Sequence, residues 1–164
     1  MKPSDKPTLV KQLTDMRACE KAVEWVRDND IRTLKAAWAQ CERGDWMLWY
    51  AGRLSGPPES ASRKRLVLAA CECERLALKY VKTGDDRPRI AIETAEKWAR
   101  GEGGVTLDDV RAVRTDAYAA AAADADAYAA AAAAAAATDA RTKTLSACAA
   151  IVRRHYPTPP RKDK

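Results

Sequence analysis

Apolar residues recur at intervals of three and four along most of the chain, which is the pattern of amphipathic helices. The clearest stripe, between Arg63 and Tyr80, consists of Leu66, Ala69, Ala70, Cys73, Leu76, Ala77 and Tyr80. A second stripe follows Pro88 and consists of Ala91, Ile92, Ala95, Trp98 and Ala99. The sequence contains no alternating strand pattern of useful length. The pattern therefore predicts an all-α fold, a compact bundle of about six or seven helices.

Several residues have the properties of helix starts. Thr14, Thr33 and Asp45 each precede an apolar stretch and are predicted to be N-caps. Pro88 is predicted to lie in the first turn of a helix, where proline is tolerated. The stretch from Thr106 to Asp109 has the spacing of a capping box with aspartate in place of glutamate. We expect the helix that begins there to continue into an alanine-rich segment.

Of the twenty-one residues over 117–137, seventeen are alanine. A solvent-exposed helix of low complexity is one explanation of this composition. Another explanation is a helix that packs against its neighbours. It is favoured by the preceding capping box, by the lack of charge over 127–137 and by the larger side chains of Tyr118 and Tyr128. Small side chains allow neighbouring helices to approach closely. We therefore predict a long alanine-rich helix that is a buried or half-buried spine of the bundle.

The 164 residues are enough for one domain, which we predict to span 1–157, with a basic, proline-containing and disordered tail over 158–164. The net charge of +6 is uneven: residues 61–101 hold ten Lys and Arg against six Asp and Glu, whereas 102–140 hold two against seven. Such an imbalance can steer a charged partner. The five cysteines and the lack of a signal peptide or membrane span predict a cytoplasmic protein with reduced thiols.

The sequence has few residues in arrangements that are typical of catalytic or metal-binding sites. His155 is the single histidine, is predicted to lie on the surface, and has no nucleophile or carboxylate motif around it. Cys71 and Cys73 would point about 200° apart on a helix, which makes a shared metal unfavourable. Free cysteines behave as small buried hydrophobes, and we predict that role for all five. We expect no enzymatic activity, no metal and no cofactor.

The most informative stretch is "CERGDWMLWYAG", in which Trp46 and Trp49 lie three residues apart on a predicted helix. We predict that Trp46 packs in the core, while Trp49 and Tyr50 are candidate binding anchors. The charged residues around the predicted start at Pro88 are explained equally well by local ion pairs and by the rim of an interaction surface. The candidate protein-binding residues are Arg43, Trp49, Tyr50, Asp86, Arg87, Arg89 and Glu93.

An alternative set of residues would bind a phosphate-bearing ligand, either a signalling nucleotide or a nucleic acid. The set consists of Arg63, Lys64, Arg65, Arg87 and Arg89, and it requires those residues to converge in space. Binding of DNA or RNA would depend steeply on salt. The sequence has no recognised DNA-binding motif.

Four stretches, "CERGDWMLW", "LVLAACECERLAL", "RPRIAIETAEKWARGE" and "CAAIVRRHYP", follow the order seen in the Imm-type immunity proteins. The chain resembles this family from about Cys19 to Pro157. Its members are small helical proteins associated with bacterial polymorphic toxin systems and also found in phage genomes. The resemblance implies an all-helical fold but no particular binding residues.

The resemblance also implies a protein that binds and neutralises a protein target. That target would be a toxin or, for a phage gene, a host defence component such as a CRISPR or nucleotide-signalling effector. A nucleotide sponge or nucleic-acid-binding module acting against host defence is the alternative. A structural module that self-associates into a homo-oligomer through its alanine faces is a third hypothesis.

Overall fold

The computed structural model describes residues 8–116 and 137–162. Its helices are α1 (Leu9–Asp15), α2 (Glu20–Asp28), α3 (Leu34–Gln40), α4 (Gly44–Leu54), α5 (Ala61–Arg75), α6 (Arg87–Arg100), α7 (107–116) and α8 (Ala137–His155), with a 3-10 turn at Leu78–Tyr80. These two ranges contain no strand, and the prediction of an all-α fold is confirmed. The predicted alanine-rich spine lies almost entirely outside the described residues. None of the described helices combines the length and the apolar character that crossing a bilayer requires.

Local sequence signals predict several helix starts correctly. The Thr33 hydroxyl accepts a hydrogen bond from the Ala36 amide at 3.2 Å and so caps α3. In the capping box, the Thr106 amide donates to the Asp109 carboxylate at 2.8 Å, and the Asp109 amide donates to the Thr106 hydroxyl at 3.2 Å. Pro88 lies in the first turn of α6. These three predictions are confirmed.

Two predicted caps are wrong. Thr14 lies inside α1, where its hydroxyl donates to the Val10 carbonyl at 2.9 Å, and α2 begins only at Glu20. Asp45 lies in the first turn of α4 rather than before it, and its carboxylate accepts hydrogen bonds from Arg43. An aspartate is favourable both as an N-cap and within the first turn, so its residue type cannot distinguish these positions.

Helix α5 is the central element, because it packs against α4, α6 and α8. The Cys71 thiol donates to the Ile92 carbonyl of α6, and the Cys73 thiol donates to the Cys148 carbonyl of α8, both at 3.8 Å. The two thiols therefore face different neighbours, as their spacing on a helix requires. Cys41 and Cys148 are also buried, but Cys19 is exposed. The prediction of a buried thiol is wrong at Cys19 because this residue precedes α2 at its N-cap position.

The core consists of two clusters joined by aromatic side chains. The larger cluster includes Trp38, Met47, Ala69 and Val152 with further residues of α4, α5 and α8. The smaller cluster comes from α1, α2, α3 and the connection between α2 and α3, and it contains Leu9, Leu13, Val23, Val26, Ile31 and Ala37. Trp25 and Tyr50 pack against both clusters. These aromatic side chains attach the N-terminal helices to the rest of the bundle.

Residues at and just after the end of α8 form hydrogen bonds with the end of α3 and the start of α5. The Arg153 guanidinium donates to the Cys41 carbonyl at 2.8 Å and to the Trp38 carbonyl at 3.2 Å, where the orphan carbonyls of a helix end need partners. The Tyr156 hydroxyl donates to the Ser62 carbonyl at 3.3 Å. Ordered contacts thus reach Tyr156, and the predicted boundary of the domain at residue 157 stays a prediction.

Candidate protein-binding surface

Helix α4 presents three exposed residues one turn apart, Asp45, Trp49 and Arg53. Trp49 is 36% exposed, which places it among the few large apolar side chains that the described part of the chain exposes to solvent. Arg43 and Trp46 lie beside this row at the start of α4. We call these five residues the α4 face. The face combines tryptophan and arginine, the residue types most enriched at binding hot spots.

An apolar cleft of about 60 Å³ lies under the α4 face, between α2, α3 and α4. Its aromatic lining consists of Trp25, Trp38, Trp46, Trp49 and Tyr50. The ring centroids of Trp25 and Trp46 are 6.0 Å apart with an interplanar angle of 56°, and those of Trp38 and Tyr50 are 6.1 Å apart at 62°. Tilted and edge-to-face pairs of this kind are favourable. Trp49 lines the same cleft as these two ring pairs.

Arg43 is held in place by two kinds of contact. Its guanidinium lies 4.4 Å from the Trp46 ring centroid and donates to the Asp45 carboxylate at 2.6 and 2.9 Å. Burial raises the pKa of Asp45, but the hydrogen bonds and charge of Arg43 outweigh it, so the pKa of Asp45 lies below its ordinary value. Trp46 is partly buried and packs against the core, as predicted. Tyr50 is half-buried and contributes mainly to the packing between the two clusters.

The second predicted group forms a series of ion pairs at the start of α6. Arg89 pairs with Asp86 at 2.9 Å and with Glu93 at 3.2 Å, while Arg87 pairs with Asp85 at 2.8 Å. The guanidinium of Arg87 holds the pKa of the Asp85 carboxyl below its ordinary value. This group and the α4 face lie on separate helices. Helix α5 packs against both of those helices.

The basic residues at the start of α5 point to three different neighbours. Arg63 donates to the Gly56 carbonyl at 3.2 Å, the Lys64 amine lies 5.6 Å from the Trp98 ring centroid, and Arg65 lies 5.7 Å from the Tyr156 ring centroid. Lys64 also pairs with Glu59 at 3.2 Å.

The phosphate-binding alternative requires these residues to converge with Arg87 and Arg89 near the start of α6. Because Trp98 lies near the end of that helix, about 14 Å of it separates Arg89 from the Lys64 contact. The structure does not bring the five residues into one cluster.

His155 is not the plain surface residue that we predicted. Its Nε2 atom lies 2.9 Å from the Glu72 carboxylate, and the His155 side chain is only 23% exposed. Arg154 pairs with the same carboxylate. The hydrogen bond with His155 and the contacts of Arg154 hold the pKa of Glu72 below its ordinary value. The packing of α8 beside α5 creates this cluster, which the sequence did not indicate.

An ion pair between the exposed Arg75 of α5 and the buried Glu96 of α6 was not indicated by the sequence. Glu96 is only 8% exposed, and the Arg75 guanidinium donates to its two carboxylate oxygens at 3.0 and 2.8 Å. Arg100 lies further away, at 3.7 Å. The hydrogen bonds from Arg75 lower the pKa of Glu96, although burial opposes them. Within the described residues, no group of three or more His, Cys, Asp or Glu side chains is placed to hold a metal ion.

We expect Arg75→Gln to destabilise the protein by about 2 kcal/mol at neutral pH, because it leaves a buried carboxylate without its main partner. The pKa of Glu96 in the folded protein lies below its ordinary value of 4.5. The stability that the ionised Glu96 contributes is therefore present above pH 4.5 and is lost as the pH falls through the folded pKa. The variant should therefore lose less stability than the natural protein as the pH falls below about 4.5. Urea unfolding at a series of pH values measures both effects.

The matched control is Lys11→Gln, which removes an exposed i,i+4 pair with Asp15 whose side chains are 63% and 60% exposed. This change should cost less than about 0.5 kcal/mol. Equal losses in the two variants would contradict the assignment of a stabilising role to the Arg75–Glu96 pair.

Comparison with known proteins points to one family. The family model described as "Imm-5 like putative immunity protein" matches residues 56–150. The matched segment includes α5, α6 and α7 and most of α8, whereas α1 to α4 lie outside it. No curated protein and no solved structure matches the chain. The predicted resemblance to this family is confirmed over residues 56–150, whereas the stretch over 41–49 lies outside the match and that over 148–157 lies mostly outside it.

Proposed function

Because the chain belongs to the Imm-5 like putative immunity protein family, we propose that it binds a protein target and neutralises it without catalysis. The target is a toxin or, if the gene is carried by a phage, a component of host defence. Membership of the family is the observation that carries this proposal. The residue types of the α4 face also support the proposal, since tryptophan and arginine are common in binding surfaces.

The α4 face is suited to binding because its central side chains are already ordered. Trp49 is partly covered and lines the aromatic cleft, and Arg43 is held between Asp45 and the Trp46 ring. Ordering flexible side chains on binding costs about 0.5–1.5 kcal/mol for each one. A surface whose anchors are fixed beforehand avoids much of that cost. The face lies outside the segment that matches the family, and we propose that it supplies this chain's own target specificity.

Asp86, Arg87, Arg89 and Glu93 form a second candidate surface, which lies inside the matched segment. Their ion pairs hold the side chains in a defined arrangement. They also satisfy the arginine charges locally, and exposed pairs of this kind contribute little energy. We therefore rank this group below the α4 face as an anchor and propose it as a polar rim.

The proposed function is tested by co-expression with the products of neighbouring genes. We expect one of those products to inhibit growth when it is expressed alone and to be harmless beside this chain. Size-exclusion chromatography with light scattering should then show a stoichiometric complex that is stable during purification. Failure of every neighbouring product to form such a complex would contradict inhibition of a genetically linked toxin.

A parallel measurement tests the phosphate-ligand alternative. Nucleotides and nucleic acids that co-purify with the chain are identified by mass spectrometry, and their binding is measured over a range of salt concentrations. Neutralisation of a protein target predicts no specific nucleotide. A stoichiometric nucleotide, or nucleic-acid binding with a steep salt dependence, would support the alternative instead.

We expect Trp49→Ala to weaken binding of the target by about 30-fold or more, because central tryptophans commonly contribute at least 2 kcal/mol to an interface. Arg89→Ala should weaken binding less than about fivefold, since its charge is satisfied within the chain. Isothermal calorimetry measures both affinities, and circular dichroism verifies that each variant is folded. A larger effect at Arg89 would move the interface to the start of α6, and no effect at either residue would exclude both surfaces.

A further inference from the structure

A second surface lies between α8 and the 3-10 turn at Leu78–Tyr80. Helix α5 ends at Arg75, so Tyr80 leaves the apolar stripe on which the sequence had placed it and is 48% exposed. A groove of about 420 Å³ separates this turn from α8. The groove is lined by Leu76, Lys79, Tyr80, Ala140, Lys143, Thr144 and Ala147, and we call it the Tyr80 groove.

The Tyr80 groove has an apolar floor and basic sides. Leu76 is half-buried and packs on the larger core cluster, while the Tyr80 ring stands open to solvent. The Lys79 amine lies 4.9 Å from the Tyr80 ring centroid on one side, and Lys143 is exposed on the α8 side. Lys79 and Lys143 therefore give the groove positive charge on both of its sides.

We propose that the Tyr80 groove binds an acidic segment of a partner protein, which places an apolar side chain against Tyr80 and Leu76. The choice of an acidic partner follows from charge complementarity, since a basic segment would meet Lys79 and Lys143 with like charge. The surplus of positive charge over residues 61–101 favours the same partner at longer range. An exposed tyrosine supplies a rigid contact surface at low entropic cost.

This inference goes beyond the proposed function, because the Tyr80 groove shares no residue with the α4 face and requires no toxin. All the residues that line the groove lie within the segment that matches the family. A surface in that segment is a candidate for recognition by a partner common to several members. The α4 face, in contrast, would recognise the individual target of this chain.

Two fluorescent synthetic peptides of equal length test the proposal on the full chain. Both carry leucines at helical spacing, and their polar positions are all glutamate in one and all lysine in the other. Fluorescence anisotropy should show that the glutamate peptide binds at least roughly tenfold more tightly than the lysine peptide. Tyr80→Ala and the double variant Lys79→Glu/Lys143→Glu should each weaken the glutamate peptide by roughly tenfold or more.

The matched control is Lys21→Glu/Lys35→Glu, which changes the net charge equally at exposed positions on α2 and α3. It should leave the peptide affinity within about twofold of the natural value, because attraction to exposed charges is screened beyond roughly 10 Å. Equal weakening by the two double variants would mean that only net charge attracts the peptide and would overturn the proposal. Displacement of the peptide by inorganic phosphate at constant ionic strength would also overturn it, because the groove would then be a small-anion site. Unaltered binding by Tyr80→Ala would remove the apolar contact on which the proposal depends.

Discussion

Replacing Gly44 with alanine is expected to lower the free energy of unfolding by about 3 kcal/mol. Gly44 is the first residue of α4 and lies against the backbone of α8. A Cβ atom at this position would be 2.3 Å from the Cys148 Cβ and 2.7 Å from the Ala149 nitrogen. No side-chain rotation relieves contacts with a Cβ and a backbone atom, so α4 and α8 would have to separate. That separation would open the larger core cluster, in which Cys148 and Ala149 are buried.

The same helix offers the control, Gly52→Ala. A Cβ at Gly52 would meet only the Leu66 Cδ2 atom, at an ordinary distance of 3.6 Å. Alanine in a helix interior is favoured over glycine by roughly 0.5–1 kcal/mol, so this variant should be as stable as the natural protein or slightly more stable. Urea unfolding followed by circular dichroism compares the two. A Gly44→Ala variant as stable as Gly52→Ala would show that α4 and α8 do not pack at this distance.

Removing the side chain of Trp38 is the second change with a large expected effect. Trp38 is 4% exposed, packs edge-on against Tyr50, and donates its indole N–H to the Tyr156 carbonyl at 2.9 Å. Trp38→Ala should therefore cost about 4 kcal/mol through lost burial and the resulting cavity. The loss should be visible as a much lower urea midpoint with an unchanged slope.

Trp38→Phe removes the hydrogen bond while it keeps an aromatic ring in the core. This variant keeps much of the apolar contact, removes the donor to Tyr156 and leaves a small cavity, so it should cost about 2 kcal/mol. Similar losses in the two Trp38 variants would mean that the hydrogen bond to the C-terminal segment, rather than the packed ring, accounts for the stability. Neither variant is suited to binding assays, because Trp38 also lines the cleft beneath Trp49.

The aromatic cleft therefore serves two purposes in this interpretation. Its buried rings join the N-terminal helices to the core, and the same packing holds Trp49 in position on the outside. We expect Trp49→Ala to affect binding of the target more than stability, since the ring of Trp49 is only partly covered. Substitutions at Trp38 or Gly44 should affect stability more than binding of the target, because these residues pack in or against the core.

The sequence alone determined the features that depend on neighbouring residues. The periodicity of apolar positions predicted the helices, and Thr33, Pro88 and the Thr106–Asp109 box marked helix starts correctly. These signals are reliable because a cap and its backbone donor lie within one turn of each other. The failures at Thr14 and Asp45 have the same origin, since a residue type suited to a cap is also accepted inside the first turn or further along the helix.

Only the tertiary structure decided which distant residues meet. Arg75 reaches Glu96, Trp38 reaches Tyr156, and Gly44 allows α8 to approach, and no local pattern encodes these pairs. The same contrast between local sequence and tertiary packing applies to the candidate surfaces. Sequence singled out Trp49 by its residue type, whereas the support beneath it and the groove beside Tyr80 arise from the way separate helices pack. Helix periodicity determines which face of a helix is apolar, but the neighbour that covers that face is set by the arrangement of the whole chain.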